Sequence, residues 1–416
     1  MDIIALLLDG FVIAFQPLNL LVIIVGVIVG LFIGAMPGLG SVNGVAILLP
    51  MTFLVPPASA IMFLAAIYYG AMYGGAISSI MLGIPGASTA VATTFDGRPL
   101  ALKGKADKAL ITAAMASFIG GTISILLFTG FAPMLAKIAL DFGDQEIFAL
   151  MLLAFATFVG LSGDDIPKTI FSICIGLVFS SVGLDIMSGE PRLVFFDIIG
   201  FMHGINFLVL AIGIYGIGEM MWTIESNRED SAMSKAVISM SGIMDSIRDM
   251  GRTWFSWTIG SLLGFFVGIL PAAGATPGSL MAYGVAKMTS KNPGNFGKGE
   301  VAGVVAPESA NNAASTGSLL PMLTLGIPGS PTTAILLGGM VIWGLTPGPL
   351  LFVEHKEFVW GLIGSLYVAN FFAVLINLAF IPVFLWVLKM PFTILAPTIF
   401  VLCLVGGYAP TQDMHD

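Results

Sequence analysis

Gly26-Val27-Ile28-Val29-Gly30-Leu31-Phe32-Ile33-Gly34-Ala35-Met36-Pro37-Gly38-Leu39-Gly40-Ser41-Val42-Asn43-Gly44 is the stretch on which the fold turns. Its glycines and proline stand at Gly26, Gly30, Gly34, Pro37, Gly40 and Gly44, and the same spacing returns without a slip at Gly260, Gly264, Gly268, Pro271, Gly274 and Gly278. Downstream of each copy the pentapeptide Leu-Gly-Ile-Pro-Gly occurs once, at Leu82 to Gly86 and at Leu325 to Gly329. A glycine on every turn clears one helix face for close approach of another backbone. The proline then removes an amide and collides with the preceding turn, which breaks the helix. Paired broken segments in two halves of an apolar chain point to a transporter with its substrate at the breaks.

The composition sets the solvent. Of 416 residues, 57% are hydrophobic and 10% charged, with mean hydropathy +1.00. Runs such as 18–36 and 110–131 hold no charge and are long enough to cross a hydrocarbon core of roughly 30 Å. They lack the alternation of a barrel strand, so the chain reads as a polytopic helical bundle. The N-terminus has no basic region or small-residue cleavage site, so no removable signal peptide is expected. Cys174 and Cys403 lie in apolar runs, which argues against a disulfide. The net charge of −8 argues against a nucleic-acid partner. There is no Gly-x4-Gly-Lys-Ser/Thr, His-Glu-x-x-His or Gly-x-Ser-x-Gly, and the three histidines are dispersed. An enzyme, a metal centre or a bound cofactor is therefore not expected.

The polar stretch 223–252 divides a first transmembrane repeat, 1–222, from a second, 253–416. The pieces near 36–55, 83–95, 272–289 and 329–345 begin at Pro/Gly breaks and read as half-helices or re-entrant segments. Lysine and arginine orient the halves. The loop after the first pentapeptide carries Arg98, Lys103, Lys105 and Lys108, whereas its partner carries Glu354, Lys356 and Glu357. The loop after the first glycine ladder, 55–58, is uncharged, whereas its partner carries Lys287, Lys291 and Lys298. Matching loops with opposite bias are what inverted-topology repeats require, and place 96–108, 223–252 and 287–299 in the cytoplasm. The fold expected is all-α and polytopic, with two inverted repeats of Pro/Gly-broken helices. The second half ends two spans earlier than the first, so a symmetric parent would extend beyond Asp416, and the chain is truncated or naturally short.

Helix-break candidates are Pro37, Gly38, Gly40, Pro85, Gly86, Pro271, Gly274, Pro328 and Gly329. The six ladder glycines themselves read as packing. Beyond the breaks, Ser41, Asn43, Ser88, Thr89, Thr276, Ser330, Thr332 and Thr333 combine hydroxyls or amides with helix starts. Such residues are ordinary N-caps; the same helix ends also present N–H groups and a positive dipole end to an anion. All sixteen Lys and Arg lie in loops or at span ends, so no arginine clamp is available. A carboxylate at mid-membrane must then be met by half-helix N-termini, hydroxyls and amides, with a bound cation to balance its charge. Glu308 stands within a small, apolar run where the first repeat has Ala65. It is a functional candidate by its position, or else a residue wetted near the cytoplasmic end. Asn311 and Asn312, opposite Tyr68 and Tyr69, are adjacent amides that must find partners. Asp96 reads as a membrane-edge residue.

Gly34-Ala35-Met36-Pro37-Gly38-Leu39-Gly40, Tyr73-Gly74-Gly75-Ala76-Ile77, Gly83-Ile84-Pro85-Gly86, Asp96-Gly97-Arg98-Pro99-Leu100-Ala101, Pro307-Glu308 with Ala310-Asn311-Asn312-Ala313, and Gly326-Ile327-Pro328-Gly329-Ser330 together resemble the large membrane subunit of the tripartite tricarboxylate transporters, the TctA family. The resemblance runs over almost the whole chain. It implies a bacterial inner-membrane permease working with a small membrane subunit and a periplasmic solute-binding protein. It also implies import of citrate or other carboxylates, driven by a cation gradient such as Na+ or H+. On this reading the named hydroxyls and Asn43 bind substrate, Asn311 and Asn312 bind and orient substrate or hold a cation, and Glu308 serves cation coupling. The rivals are an anion channel with the breaks as its filter, and a non-transporting membrane scaffold, which leaves the paired polar breaks unexplained.

Overall fold

A computed structural model describes residues 3–36, 39–141, 143–161, 166–184, 190–194, 204–205, 210, 212–218, 221, 240–271, 273–387, 397, 400, 401 and 404. The helices are α1 (Ile3–Ala14), α2 (Pro17–Ala35), α3 (Gly40–Leu48), α4 (Pro57–Leu82), α5 (Val91–Leu102), α6 (Ala106–Ala139), α7 (Asp144–Leu161) and α8 (Ile166–Ser180), then α9 (Met240–Arg252), α10 (Trp254–Ile269), α11 (Ala275–Thr289), α12 (Ala302–Leu325), α13 (Pro331–Ile342), α14 (Leu351–Glu354) and α15 (Lys356–Val387). Among the described residues, strand is confined to the two-residue pair Gly183–Leu184 and Pro191–Arg192. Four helices are long and apolar enough to cross a membrane: Pro17–Ala35, Pro57–Leu82, Ala106–Ala139 and Lys356–Phe384. The short helices α3, α11 and α13 lie within the segments 36–55, 272–289 and 329–345 expected to be half-helices, whereas in place of 83–95 a 3-10 turn at Ser88–Ala90 leads into α5, which runs on to Leu102.

The polarity is that of a membrane protein. Leu8, Val12, Leu21, Leu126, Met134, Phe266, Phe371 and Leu375 are exposed, while Ser78, Ser117, Ser124, Asn311, Asn312 and Thr316 are buried. Every residue of α12 from Gly303 to Thr324 is buried, although the helix carries a glutamate, two asparagines and five hydroxyl residues. Such a helix gains little from lipid and gains hydrogen bonds from protein neighbours.

The glycine ladders seat the two central helix pairs. A methyl group on Gly26, Gly30 or Gly34 of α2 would strike the α4 backbone at Phe63, Ile67 or Ala71. On Gly260, Gly264 or Gly268 of α10 it would strike the α12 backbone at Ala306, Ala310 or Ala314. The approach is reciprocal: Gly74 of α4 lies against the Leu31 carbonyl, and Gly317 of α12 against that of Phe265. Helices α4 and α12 then stop alike, on Gly83 and Gly326 at φ +74° and +70°. Only glycine takes that conformation without steric cost, which ends each helix where the pentapeptide begins. The pentapeptide finally folds back on the ladder, with Gly86 against the Gly34 carbonyl and Gly329 against the Gly268 carbonyl.

The loops gather in two groups. Asp96 of α5 is buried. Its Oδ1 accepts backbone N–H bonds from Gly297, Gly299 and Glu300 (2.9, 2.7 and 2.7 Å), and its Oδ2 accepts the Tyr283 hydroxyl at 3.0 Å. Lys108 pairs with Asp249 of α9 at 2.5 Å. The segments 96–108, 240–252 and 297–300 are thus in contact. Pro56 and Ala58 of the uncharged loop and Glu354, His355 and Lys356 of the loop after the second pentapeptide line a second cavity with Asn19 of α2 and Ser59 of α4. Residues 223–239, most of the polar linker, lie outside the described residues.

Gly264→Val is expected to force α10 off α12 and cost at least ~3 kcal/mol of stability. Gly284→Ala, which meets nothing within 4 Å, should change stability by no more than about 1 kcal/mol; thermal melts in detergent compare the two. Asp96→Ala is expected to remove about 3 kcal/mol and to speed trypsin cleavage at Lys291 and Lys298, whereas Asp96→Asn, which keeps an acceptor oxygen, should cleave at an intermediate rate.

Candidate functional site

The four breaks meet at a cavity of about 440 Å³. One wall comes from the first half: Gly40, Ser41, Val42 and Asn43 at the start of α3, and Pro85 to Thr89 leading through a 3-10 turn into α5. The other comes from the second half: Ala273 to Thr276 at the start of α11, and Ser330, Pro331 and Thr332 at the start of α13. Tyr68 and Met72 of α4 contribute between them. Among the described residues, no Asp, Glu, Lys, Arg or His lines the space.

Each helix start is held by a bond made across the break or between the halves. Ser330 and Thr333 form a reciprocal capping box at the head of α13, with Thr333 N–H donating to Ser330 Oγ at 3.2 Å and Ser330 N–H to Thr333 Oγ1 at 2.9 Å. The Gly274 amide donates to the Gly329 carbonyl at 2.9 Å, so break and pentapeptide of the second half close on each other. Ser41 Oγ and Thr332 Oγ1 are 2.9 Å apart, and Thr276 Oγ1 donates to Ser88 Oγ at 3.1 Å. Each pair joins one half to the other. Ser279 of α11 donates to the Thr89 carbonyl at 3.0 Å. The Tyr68 hydroxyl lies 3.2 Å from both Ser318 and Ser330.

Of the residues singled out in the sequence, Gly40, Ser41, Asn43, Pro85, Gly86, Ser88, Thr89, Gly274, Thr276, Ser330 and Thr332 share this cavity. Pro37 and Gly38 lie outside the described residues. Thr333 is buried behind the wall, occupied by its capping box. Asn311, Asn312 and Glu308 are not on the wall either; all three are buried in α12. Asn311 Nδ2 reaches the Met72 carbonyl at 3.5 Å, so it backs a residue of the wall. Glu308 is not wetted at a helix end: it accepts hydrogen bonds from Thr93 of α5 and from Ser117 of α6, the latter at 2.9 Å. Tyr68, Met72, Thr93 and Ser117 were not singled out as site residues. Tyr68 carries a signal, as the counterpart of Asn311, but its place in the wall depends on how α4 passes the breaks.

Chemically, four helix N-termini with hydroxyl-bearing first turns converge on an uncharged space. Each contributes roughly half a positive charge, and backbone N–H groups at such ends are natural anion donors. Among the described residues, no group of three or more His, Cys, Asp or Glu is placed to hold a metal ion.

Comparisons with known proteins agree in direction. The profile described as "Tripartite tricarboxylate transporter TctA family" matches residues 20–416. An uncharacterized 52.8 kDa protein from the TAR-I ttuC′ 3′ region of Agrobacterium vitis is 36% identical over 416 residues, covering 100% of this chain and 82% of the relative. A protein from the TAR-II ttuC′ 3′ region of the same organism is 39% identical over 153 residues, 37% of this chain and 63% of the relative. No solved structure matches the chain significantly. The chain belongs to the tripartite tricarboxylate transporter TctA family, a family of transporter subunits and not of enzymes.

Proposed function

We propose that this chain is the permease subunit of a secondary active importer of tricarboxylates or related organic anions in a bacterial inner membrane. A periplasmic solute-binding protein delivers the substrate, a small membrane subunit completes the complex, and a Na+ or H+ gradient drives uptake as symport. The observation that carries this reading is the convergence of four half-helix N-termini on one hydroxyl-lined cavity in which none of the described lining residues is charged. Four such ends offset roughly two negative charges, which suits a molecule with several carboxylates and leaves the remainder to a co-transported cation.

In this mechanism Ser41, Asn43, Ser88 and Thr89 from one half and Thr276, Ser330 and Thr332 from the other donate to the carboxylates. The cross-half pairs Ser41–Thr332 and Ser88–Thr276 exchange their mutual bonds for bonds to substrate. Asn311 and Thr333 hold the wall in place from behind. Alternating access follows from rocking one half against the other about the cavity. Inverted topology of the halves is supported by the two groups of loops, one joined through Asp96 and Lys108, the other around Glu354 and Lys356.

Uptake of radiolabelled citrate into vesicles with both partner subunits supplied should depend on an inward cation gradient. Thr276→Val combined with Ser41→Ala should lower uptake at least tenfold while leaving folded protein in the membrane. Uptake unaffected by the double substitution would remove the cavity from the mechanism, and voltage-driven current without gradient coupling would select a channel.

A further inference from the structure

The cavity does not explain a second buried polar cluster, around Glu308. Glu308 carries its carboxylate inside α12, where among the described residues its partners are two neutral hydroxyls, Thr93 on Oε1 and Ser117 on Oε2. One turn on, Asn312 donates Nδ2 to the Glu308 carbonyl at 3.1 Å. That bond fixes the amide orientation, since the reverse would set oxygen against oxygen. Asn312 Oδ1 is then left buried with no hydrogen-bond partner. A buried carboxylate without a cation, and a buried amide oxygen without a donor one helical turn along (Asn311 Oδ1 beside it is in the same state), each cost free energy unless a positive group reaches them. Among the described residues no cationic side chain is bonded to Glu308; of the tyrosines on α4, Tyr69 is bonded to Thr316 and Tyr73 donates to Asn370 at 2.6 Å.

We infer that Glu308, Asn312, Thr93 and Ser117 form a binding site for a single sodium ion, distinct from the anion cavity and built from both halves of the chain. The ligand set decides the ion. One carboxylate cancels one positive charge, so a divalent ion would leave an uncompensated charge in the protein interior. Carboxylate, amide and hydroxyl oxygens are hard donors, suited to a hard cation and not to a transition metal. A proton on Glu308 would neutralise the carboxylate but leave Asn312 Oδ1 orphaned, whereas a sodium ion satisfies both. Each hydroxyl can donate its proton to the carboxylate and still offer lone pairs to the ion. The site serves the coupled transport proposed above, and its occupancy is measurable with no carboxylate present.

The test is binding of radioactive sodium to the purified chain with its small membrane subunit, at constant ionic strength in choline chloride. The expected result is saturable binding of one ion per chain, lost in Glu308→Gln and weakened at least tenfold in Asn312→Ala. Should Glu308→Gln fail to fold, Thr93→Val and Ser117→Ala keep the carboxylate and should each weaken binding severalfold. Absence of saturable binding to folded wild-type protein, or wild-type binding by Glu308→Gln, overturns the assignment. So does a stability that responds to pH through Glu308 but not to sodium, which would assign a proton instead. Sodium binding that survives while citrate uptake fails under every gradient would uphold this site and reject the substrate reading alone.

Discussion

A helix broken at membrane depth exposes backbone amides that lipid cannot satisfy, so every break must end against protein or in a wetted space. This chain breaks four times and brings all four ends to one place. What brings them there is the contact of glycine with backbone carbonyl. Gly34 and Gly268 close the ladders, and the carbonyls of those same two residues receive Gly86 and Gly329 of the pentapeptides. Packing glycines and helix breaks are therefore one device: the ladder sets the depth of α2 on α4 and of α10 on α12, and the pentapeptide measures its own position from the ladder's last step.

A duplicated scaffold need not carry duplicated chemistry. At matching places the first half has Ala87 and Thr89 where the second has Ser330 and Thr332, and Ser41 and Val42 where the second has Ala275 and Thr276. The cavity is thus lined by helix starts in a near-repeating arrangement but by hydroxyls in an uneven one. The divergence is greatest between α4 and α12, where Ala65, Tyr68 and Tyr69 face Glu308, Asn311 and Asn312 across the repeat. One copy supplies the bulk of a cavity wall, and the other supplies a buried carboxylate and two amides.

Most of the scaffold was legible in the chain because its signals are local. Glycine spacing, proline position and the pentapeptide each act within a few turns of helix, so the four breaks and the hydroxyls behind them could be located by counting. Their convergence followed from the duplication. Other features depend on which helices become neighbours, and composition does not carry that information. Glu308 stood out as an acid in an apolar run, but its partners Thr93 and Ser117 are ordinary residues of α5 and α6 until packing presents them. Asp96 read as a membrane-edge acid, but nothing nearby in sequence reveals that the amides of Gly297, Gly299 and Glu300 reach it from the other half and bury it. Thr333 read as a ligand by its neighbours, whereas its side chain is occupied in capping its own helix.

The same helix connects the two polar regions, and this constrains how they communicate. Along α12, Glu308 bonds to α5 and α6, Asn311 touches the carbonyl of Met72 in the cavity wall, and Ser318 meets Tyr68 beside Ser330. Because α12 is buried along almost its whole length, it cannot bend locally without opening voids that a packed interior resists. A change of charge state at Glu308 would therefore be felt at the cavity through a shift of α12 against α4, α5 and α6, and not through a relay of individual side chains. Those three helices belong to the first half and α12 to the second, so the interface carrying that shift is the same one along which alternating access would have to occur.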